Sequence, residues 1–223
     1  MTTKAPFIPY TGPQLSEEET LKNSQDHFDY MDRRRSIREI DASREVPQEV
    51  IENLIKIASS APSGAHKQPW TFVAISNPEL KAKIKEAAEE EERTFYGGRA
   101  SEEWLKDLEP FGTDWHKDFI TDSPWIIVVF RKIYNETPEG KTKNYYVQES
   151  VGIATGFLLQ AIHQCGLVSL THTPSPMDFL SEILERPKNE KPFLLIPVGY
   201  AKPGVEVPNI GRKDLSEVSI FKV

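Results

Sequence analysis

The segment from Tyr146 to Cys165 constrains the fold most, because it reads as a helix that is apolar nearly all round. Its apolar positions are Val151, Ile153, Ala154, Phe157, Leu158, Leu159, Ala161 and Ile162. A helix without a polar face has to lie inside the protein or in an interface between subunits. Gly166 follows it and predicts its end. A chain of 223 residues is long enough to bury such a helix within one domain.

Short apolar strands alternate with amphipathic helices along the rest of the chain. The pattern predicts strands at 71–76, 125–130, 167–171 and 193–200, and helices at 16–35, 48–58, 78–96 and 176–185. Ser16 with Glu19 has the spacing of a capping box, and Asn77 before Pro78 is a typical helix start. Residues 135–143 are predicted to be a polar loop. The alternation predicts an α/β sandwich.

Three segments stand apart from this alternation. Residues 1–15 contain three prolines and predict an extended N-terminal arm. Residues 99–123 are short, charged helical pieces that carry Trp104, Phe111, Trp115 and Phe119, which indicates a cover over a site rather than a core element. Residues 202–223 are weakly patterned and are expected to wrap over a neighbouring subunit.

Composition and charge exclude several classes of protein. The formal net charge of −7 argues against a broad nucleic-acid surface. Cys165 is the single cysteine, so no intrachain disulfide is possible. The N-terminal residues have no apolar signal-peptide core, and no run approaches the roughly 20 apolar residues of a membrane span. The five histidines have no metal-ligand spacing. We expect a cytoplasmic protein without a metal, a membrane partner or a nucleic-acid partner.

The common nucleotide-binding fingerprints are missing from the sequence. There is no G-x-G-x-x-G after a strand and no G-x-x-x-x-G-K-[ST]. Gly152 and Gly156 have helix-packing spacing but lie inside a predicted helix. Arginine side chains and loop amides therefore have to hold any phosphate.

An arginine cluster, RRRSIR, supplies such side chains. Arg34 and Arg38 lie one turn apart if the helix persists, with Arg35 and Ser36 on adjacent faces, so two guanidinium forks could grip one phosphate. Arg212 could join them from the far end of the chain. The alternative is that basic residues simply favour helix C-termini through the dipole. The pattern alone supports both interpretations equally.

The loop APSGAHKQPW, from Ala61 to Trp70, is rich in small residues between two prolines. Ser63, Gly64 and Ala65 could present backbone amides to a ligand, because small side chains let a ligand approach closely. The alternative is an ordinary helix-to-strand connection. Together with the arginine cluster, the loop suggests a planar cofactor that carries a phosphate.

Glu92 and Tyr96 lie at i and i+4, on one face of a predicted helix, and Lys117 lies in the aromatic cover segment. The three offer an acceptor for an ammonium group and two donors for a carboxylate, which suits an amino-acid zwitterion. The alternative is a solvated helix face, since Glu92 ends the charge run 89–92.

Thr171, His172 and Thr173 follow a predicted strand, where binding groups often project. A threonine hydroxyl could bond to a flavin ring nitrogen and tune its electronics. The alternative is the β-propensity of threonine. His172 could act as a base, although the sequence implies no partner for it, and Cys165 reads as core filler.

The order of these motifs resembles the nitroreductase superfamily of FMN enzymes. RRRSIR, APSGAHKQPWTF, the acidic helix with Tyr96, LTHTP, PVGY and Arg212 carry the resemblance from about Tyr30 to the C-terminus. The APSGAHKQPWTF segment is specific. The set Glu92, Tyr96 and Lys117 is similar to the deiodinase branch of the superfamily rather than to ordinary nitroreductases.

The resemblance implies an α+β fold with a central mixed sheet flanked by helices, formed as a single FMN-binding domain over residues 1–223. It also implies an intertwined homodimer that exchanges C-terminal arms and holds an FMN at each of two interface sites. The residues expected to bind FMN are Arg34, Arg35, Ser36, Arg38, Pro62, Ser63, Gly64, Thr171, His172, Thr173 and Arg212, with 62–64 coming from the partner subunit. The Thr173 hydroxyl would lie near flavin N5 as the catalytic group.

For the substrate, the resemblance implies that the Ala65 amide binds a phenolate while Glu92, Tyr96 and Lys117 hold the zwitterion. Residues 92–119 would close as a lid. Two departures from the family pattern stand out. Animal members carry a membrane anchor that this chain is expected to lack, and His172 stands where a threonine is expected.

The expected reaction is FMN-dependent reductive dehalogenation of iodo-, bromo- and chlorotyrosine. An external donor, whether an NAD(P)H-linked reductase, ferredoxin or flavodoxin, would reduce the flavin. One alternative is a general nitroreductase or quinone reductase that uses NAD(P)H directly. Another is a non-catalytic module that binds halotyrosine or flavin.

Overall fold

A computed structural model describes residues 5–223 of the chain. The predicted N-terminal arm begins at residues 1–4, which lie outside the described residues, and residues 5–15 have no regular secondary structure. The chain divides into two compact units, one ending at Arg34 and the other comprising residues 35–223.

The first unit contains helix α1 (Glu17–Asp32). Its start was predicted correctly: Ser16 Oγ accepts the N–H of Glu19 at 3.2 Å, and a Glu19 carboxylate oxygen accepts the N–H of Ser16 at 2.8 Å. The helix ends at Asp32 rather than at Arg35, so Arg34 and Arg38 do not share a helical turn.

A backbone contact within the second unit accounts for the departure of the arginine cluster from the helical conformation. Ser36 forms a parallel bridge to Ser169, and the Ile37 N–H donates to the Ser169 carbonyl oxygen at 3.1 Å. These bonds require extended backbone. Tertiary pairing therefore overrides the helical pattern over residues 35–37.

The second unit holds the remaining elements. Its helices are α2 (Gln48–Ser59), α3 (Pro78–Thr94), α4 (Glu102–Leu108), α5 (Phe119–Asp122), α6 (Val147–Gln164), α7 (Asp178–Ile183) and α8 (Leu215–Val218). Its strands are β1 (Trp70–Ile75), β2 (Trp125–Lys132), β3 (Tyr134–Thr137), β4 (Gly140–Lys143), β5 (Val168–Ser169) and β6 (Glu190–Gly199).

The central sheet has the strand order β1-β2-β6-β5, with antiparallel pairing between neighbours. The Ser36–Ser169 bridge adds parallel pairing, so the sheet is mixed, as the resemblance implies. Strand β2 is buried on both faces. Ile127 and Val129 pack with α2 and α6, whereas Ile126, Val128 and Phe130 pack with α3, α5 and α7. The predicted α/β architecture is confirmed.

The residues 135–143 were wrongly predicted to form a loop. They form a hairpin of β3 and β4 in which Thr137 faces Gly140. Gly140 has φ +123°, a conformation that glycine adopts readily. The hairpin packs little apolar surface, so its strands lack the alternating pattern that reveals a strand.

Helix α6, predicted to lie inside the protein or in an interface between subunits, is buried along one side and exposes apolar side chains on the other. Ile153 and Phe157 are 44% and 38% exposed. The tail beyond Lys202 is also rich in exposed apolar side chains, including Ile220 and Phe221. Within residues 5–223, no helix combines the length and the apolar character that crossing a membrane requires.

Candidate functional site

A cavity of about 720 Å³ opens between the end of α3 and the segment that follows β5. Its lining residues are Arg38, Glu91, Glu92, Phe95, Tyr96, Arg99, Trp104, Leu108, Thr113, Lys117, Phe119, Leu170, Thr171, His172, Thr173, Ser175, Pro176 and Met177. Apolar and aromatic walls surround a few charged groups, which is typical of a small-molecule site.

One wall forms where α3 passes into a single π-helical turn, Phe95–Arg99. Gly98 in this turn has φ +138°, which side chains larger than glycine rarely adopt. The helix carries Glu92 and the turn carries Tyr96, and both line the cavity, as their spacing predicts. Glu92 has a side chain only 13% exposed, so the solvated-face alternative is wrong for this residue.

Lys117 enters the same wall from the segment before α5. Its side chain is buried, and its Nζ lies 3.2 Å from Glu92 Oε2 and donates to the Asp114 carbonyl oxygen. Its backbone N–H donates to Glu89 Oε1 at 2.9 Å. The structure therefore brings Lys117 together with Glu92 and Tyr96, although α4 lies between them in the sequence.

Tyr96 lies beside this ion pair, with its ring centroid 5.6 Å from Lys117 Nζ. Burial is the main cause that raises the pKa of the Tyr96 phenol above its usual value. The phenol is therefore a neutral hydrogen-bond donor over the working pH range.

His172 faces the ion pair from the segment after β5. Its Nε2 is buried without a hydrogen-bond partner in residues 5–223 and lies 3.9 Å from Glu92 Oε1. Burial, followed by the nearby charges of Lys117 and Arg38, lowers the pKa of His172 to about 3. The imidazole is therefore neutral at physiological pH, and it does not act as a cation towards Glu92.

Thr171 and Thr173 flank His172 and line the cavity with exposed side chains. Backbone bonds between His172 and Leu195, 2.9 and 3.0 Å long, hold this segment against β6. Two residues with hydroxyl groups therefore border the cavity just after β5.

The arginine cluster is divided by the fold. Arg38 lines the cavity, and over residues 5–223 it makes no hydrogen bond or ion pair. Arg35 donates to the Pro208 carbonyl oxygen, and Ser36 bridges to Ser169. Arg34 lies just after α1 in the first unit, with its N–H on the Met31 carbonyl. Arg212 is exposed in the tail before α8.

The small-residue loop lies outside this cavity. Pro62, Ser63, Gly64 and Ala65 do not line it. A side chain at Gly64 would come within 2.9 Å of the Tyr146 ring, so only glycine fits there.

The backbone of this loop is unusual. Ala65, His66 and Gln68 have φ values of +48°, +53° and +46°, which non-glycine residues seldom adopt. The N–H groups of residues 64, 66, 67 and 68 donate within the protein, whereas that of Ala65 donates to no group in residues 5–223. The exposed Ala65 amide is therefore an available donor.

Sequence reasoning missed Arg99, which joins two sides of the cavity mouth. Its guanidinium contacts Glu91 Oε2 at 3.0 Å and also donates to the Glu91 and Ser175 carbonyl oxygens. Glycines 97 and 98 signalled the end of the helix. Nothing in the sequence signalled the contact with Ser175, which lies beyond β5 in the chain.

Comparison with known proteins identifies the family. Residues 31–200 match the model of the nitroreductase family. The chain belongs to the nitroreductase family, in its iodotyrosine deiodinase branch. The iodotyrosine deiodinase of the bacterium Haliscomenobacter hydrossis is 60% identical over 99% of both chains. That of Hydra vulgaris is 45% identical over 97% of this chain and 80% of its own length.

A solved structure extends this family assignment to three dimensions. It is an oxidised iodotyrosine deiodinase bound to FMN and 3-iodo-L-tyrosine. It superimposes with a TM-score of 0.74 at 28% identity, covering 85% of this chain and 96% of the other. Membership of the nitroreductase family and the predicted fold are thereby confirmed.

Proposed function

We propose that this protein is an FMN-dependent oxidoreductase that reductively removes halide from halotyrosines, converting 3-iodotyrosine to tyrosine and iodide. The observation that carries the proposal is the cluster of Glu92, Tyr96 and Lys117 in one cavity of a chain 60% identical to an iodotyrosine deiodinase. Bromo- and chlorotyrosine have the same recognition groups and belong to the proposed substrate class.

The residues of the cavity fit a bound flavin. Arg38 presents a cation without a partner in residues 5–223, and Thr171 and Thr173 present hydroxyl groups. A guanidinium suits the polar edge or the phosphate of FMN. Arg34, Arg35, Ser36 and Arg212 remain members of the proposed FMN-binding set.

Reduced FMN supplies the two electrons that, with a proton, replace the carbon–iodine bond by a carbon–hydrogen bond and release iodide. The chain's own task is to bind and orient the substrate. The Thr173 hydroxyl would hydrogen-bond to the flavin ring near N5.

The amino-acid end of the substrate fits the Glu92 cluster by charge. Glu92 would accept the ammonium group, while Lys117 and the neutral Tyr96 phenol would donate to the carboxylate. Without ligand, Glu92 and Lys117 neutralise each other at 3.2 Å. A zwitterion can join both charges without leaving either one unpaired, whereas a singly charged ligand would leave an unpaired buried charge. Closing residues 92–119 over the ligand would exclude water.

Three observations support a homodimer in which each subunit completes its partner's site. Residues 62–65 do not line this chain's cavity, the Ala65 N–H donates to no group in residues 5–223, and α6 and the tail expose apolar side chains. In the proposed dimer, Pro62, Ser63 and Gly64 contact FMN of the partner and the Ala65 amide binds the substrate phenolate. The tail 202–223 exchanges between the two subunits. Each subunit is a single domain, 1–223, and the dimer is located in the cytoplasm.

The test is an anaerobic single turnover. Holoenzyme reduced with dithionite is mixed with 3-iodotyrosine, and flavin reoxidation, tyrosine and iodide are followed together. We expect one tyrosine and one iodide per flavin. A flavin that stays reduced with 3-iodotyrosine but is oxidised by a nitroaromatic would indicate a general nitroreductase. Ligand binding without tyrosine release would indicate a non-catalytic module.

A matched pair of variants separates the two halves of the site. R38A should purify with much less FMN, because it removes a cavity cation that has no hydrogen-bond or ion-pair partner in residues 5–223. E92Q should retain FMN and lose affinity for 3-iodotyrosine. The physiological donor can be identified by replacing dithionite with NADPH, with and without a reductase, or with reduced ferredoxin or flavodoxin.

A further inference from the structure

The His172 ring is held firmly in the wall of the cavity. Its backbone exchanges two hydrogen bonds with Leu195, of 2.9 and 3.0 Å. Its ring packs edge-on against Phe119, with centroids 5.4 Å apart and planes at 81°. The position of Nε2 is therefore fixed by the fold rather than by a polar partner.

That nitrogen faces an incompletely bonded carboxylate. Within residues 5–223, Nε2 is buried and unpartnered, and its distance to Glu92 Oε1 is 3.9 Å. A hydrogen bond from a neutral N–H to a carboxylate is about 2.7–3.0 Å long, so the gap is about 1 Å too wide. The other oxygen, Oε2, is already taken by Lys117 at 3.2 Å.

The charges around the His172 ring determine whether its Nε2 carries a proton. Burial and the cations Lys117 and Arg38 keep the ring neutral through a lowered pKa. A neutral imidazole turns either an N–H or a lone pair towards Glu92. The lone pair would repel a carboxylate, so the proton belongs on Nε2. Among the residues that the structure describes, the Nε2–H of His172 is thus a donor without an acceptor, and the neighbouring Oε1 of Glu92 is an acceptor without a donor.

We propose, on the basis of the function proposed above, that His172 is a positioning residue whose Nε2–H bonds to Glu92 Oε1 when the cavity closes on an amino-acid ligand. This bond fixes the carboxylate plane, so that Glu92 presents its remaining lone pairs to the ligand's ammonium group. Lys117 is then able to share its charge with the ligand's carboxylate. The His172 side chain thereby favours halotyrosines over halophenols.

The experiment compares H172F with H172Q in the FMN-loaded enzyme. Phenylalanine keeps the ring without the donor, whereas glutamine places an amide N–H near the position of Nε2. Dissociation constants for 3-iodotyrosine and 2-iodophenol are measured by quenching of flavin fluorescence, and FMN content, KM and kcat are measured alongside.

H172F should weaken 3-iodotyrosine binding roughly 10- to 100-fold, the range expected for a lost hydrogen bond to a charged group. Binding of 2-iodophenol should change less than about twofold, since that ligand has no ammonium group. KM should rise with kcat nearly constant, and H172Q should recover most of the affinity. In an E92Q background, H172F should add little, because the two residues act as a unit.

Equal affinity of H172F and wild type for 3-iodotyrosine would overturn the proposal, as would an equal loss for both ligands. If H172F does not fold, H172N replaces it, because its shorter amide cannot reach Glu92, and equal affinities of H172N and H172Q would overturn the proposal. Failure of the wild-type enzyme to release tyrosine would instead overturn the function proposed above.

Discussion

Glu190 and Glu92 are both carboxylates withdrawn from water, with side chains 4% and 13% exposed, yet their surroundings differ. Thr71 Oγ1 and both Nε and Nη2 of Arg186 bond to Glu190 at 2.7–2.8 Å, and Lys132 adds a contact at 3.5 Å. In residues 5–223, Glu92 has one ion pair on Oε2, and its Oε1 only faces His172 across 3.9 Å.

This difference separates a structural cluster from a binding cluster. A buried charge whose hydrogen bonds are complete stabilises one arrangement and has nothing left for a ligand. A buried carboxylate with an oxygen that accepts no hydrogen bond, next to a donor that has no acceptor, can complete its hydrogen bonds only by binding a ligand or by a change in conformation. The position of Glu92 in the cavity, and of Glu190 outside it, agrees with this distinction.

The largest expected effect comes from removing the charge of Glu92. E92Q should weaken 3-iodotyrosine binding about 100-fold or more, because a buried charge contact to the ammonium group is lost. Titration of oxidised holoenzyme by flavin fluorescence measures this loss. Binding of 2-iodophenol is the control and should be nearly unchanged. An equal loss for both ligands would mean that Glu92 maintains the structure of the cavity rather than binds the ammonium group of the substrate.

Glu190 provides the opposite result. E190A should lower the free energy of unfolding by about 3 kcal/mol, because Arg186 loses its buried partner. Urea denaturation of the FMN-loaded protein measures this. T71V removes only one hydrogen bond to the Glu190 carboxylate and should cost about 1.5 kcal/mol. Affinity for 3-iodotyrosine should stay within about twofold in both variants. Unchanged stability with weakened ligand binding would reverse the comparison.

Acid should expose the state of His172. Its pKa is lower in the folded protein, about 3, than the ordinary 6.5, so between these values the unfolded chain binds more protons. The free energy of unfolding is therefore unaffected by His172 above about pH 6.5. Below this pH it falls by about 1.4 kcal/mol per pH unit. From pH 6.5 to 5 the loss is about 2 kcal/mol.

H172Q does not titrate and is the matched control for this measurement. Urea denaturation at several pH values between 5 and 8 should show a smaller loss on acidification for H172Q than for wild type, by about one proton in slope. Identical slopes would mean that His172 is protonated in the folded protein, contrary to its buried surroundings.

The smallest expected effect concerns Arg99, whose ion pair with Glu91 is partly exposed. R99A should weaken 3-iodotyrosine binding only about two- to fivefold, since partly exposed pairs contribute about 1 kcal/mol or less. K106A, on the exposed part of α4, should have no effect. A loss above about tenfold in R99A would place Arg99 beside Glu92 in reading the substrate.

Local signals predicted the parts of the fold that depend on neighbouring residues. Ser16 and Asn77 were identified as helix caps, and the apolar run of β2 was identified as a buried strand, because capping and burial leave direct patterns. The hairpin at 134–143 and the end of α1 at Asp32 were missed. The hairpin was missed because it buries little apolar surface. The end of α1 was missed because it depends on the bridge from Ser36 to Ser169, which no local window contains.

The site divides in the same way. The spacing of Glu92 and Tyr96 predicted a shared helix face. Lys117 was grouped with them from its place in the aromatic cover segment, and the family resemblance favoured that grouping. The facing of His172 and Glu92 was not predictable, because the two residues lie far apart in the sequence and a strand position does not reveal which group the side chain meets. The contact of Arg99 with Ser175 was missed for the same reason.

The most direct test of this account is a crystal structure of the FMN-loaded protein with 3-iodo-L-tyrosine. We predict the ammonium group on Glu92, the carboxylate on Lys117 and Tyr96, and Nε2 of His172 within hydrogen-bond distance of Glu92 Oε1. A ligand whose amino-acid end points into solvent, above an unchanged ion pair between Glu92 and Lys117, would contradict the assignment of this cluster to substrate recognition.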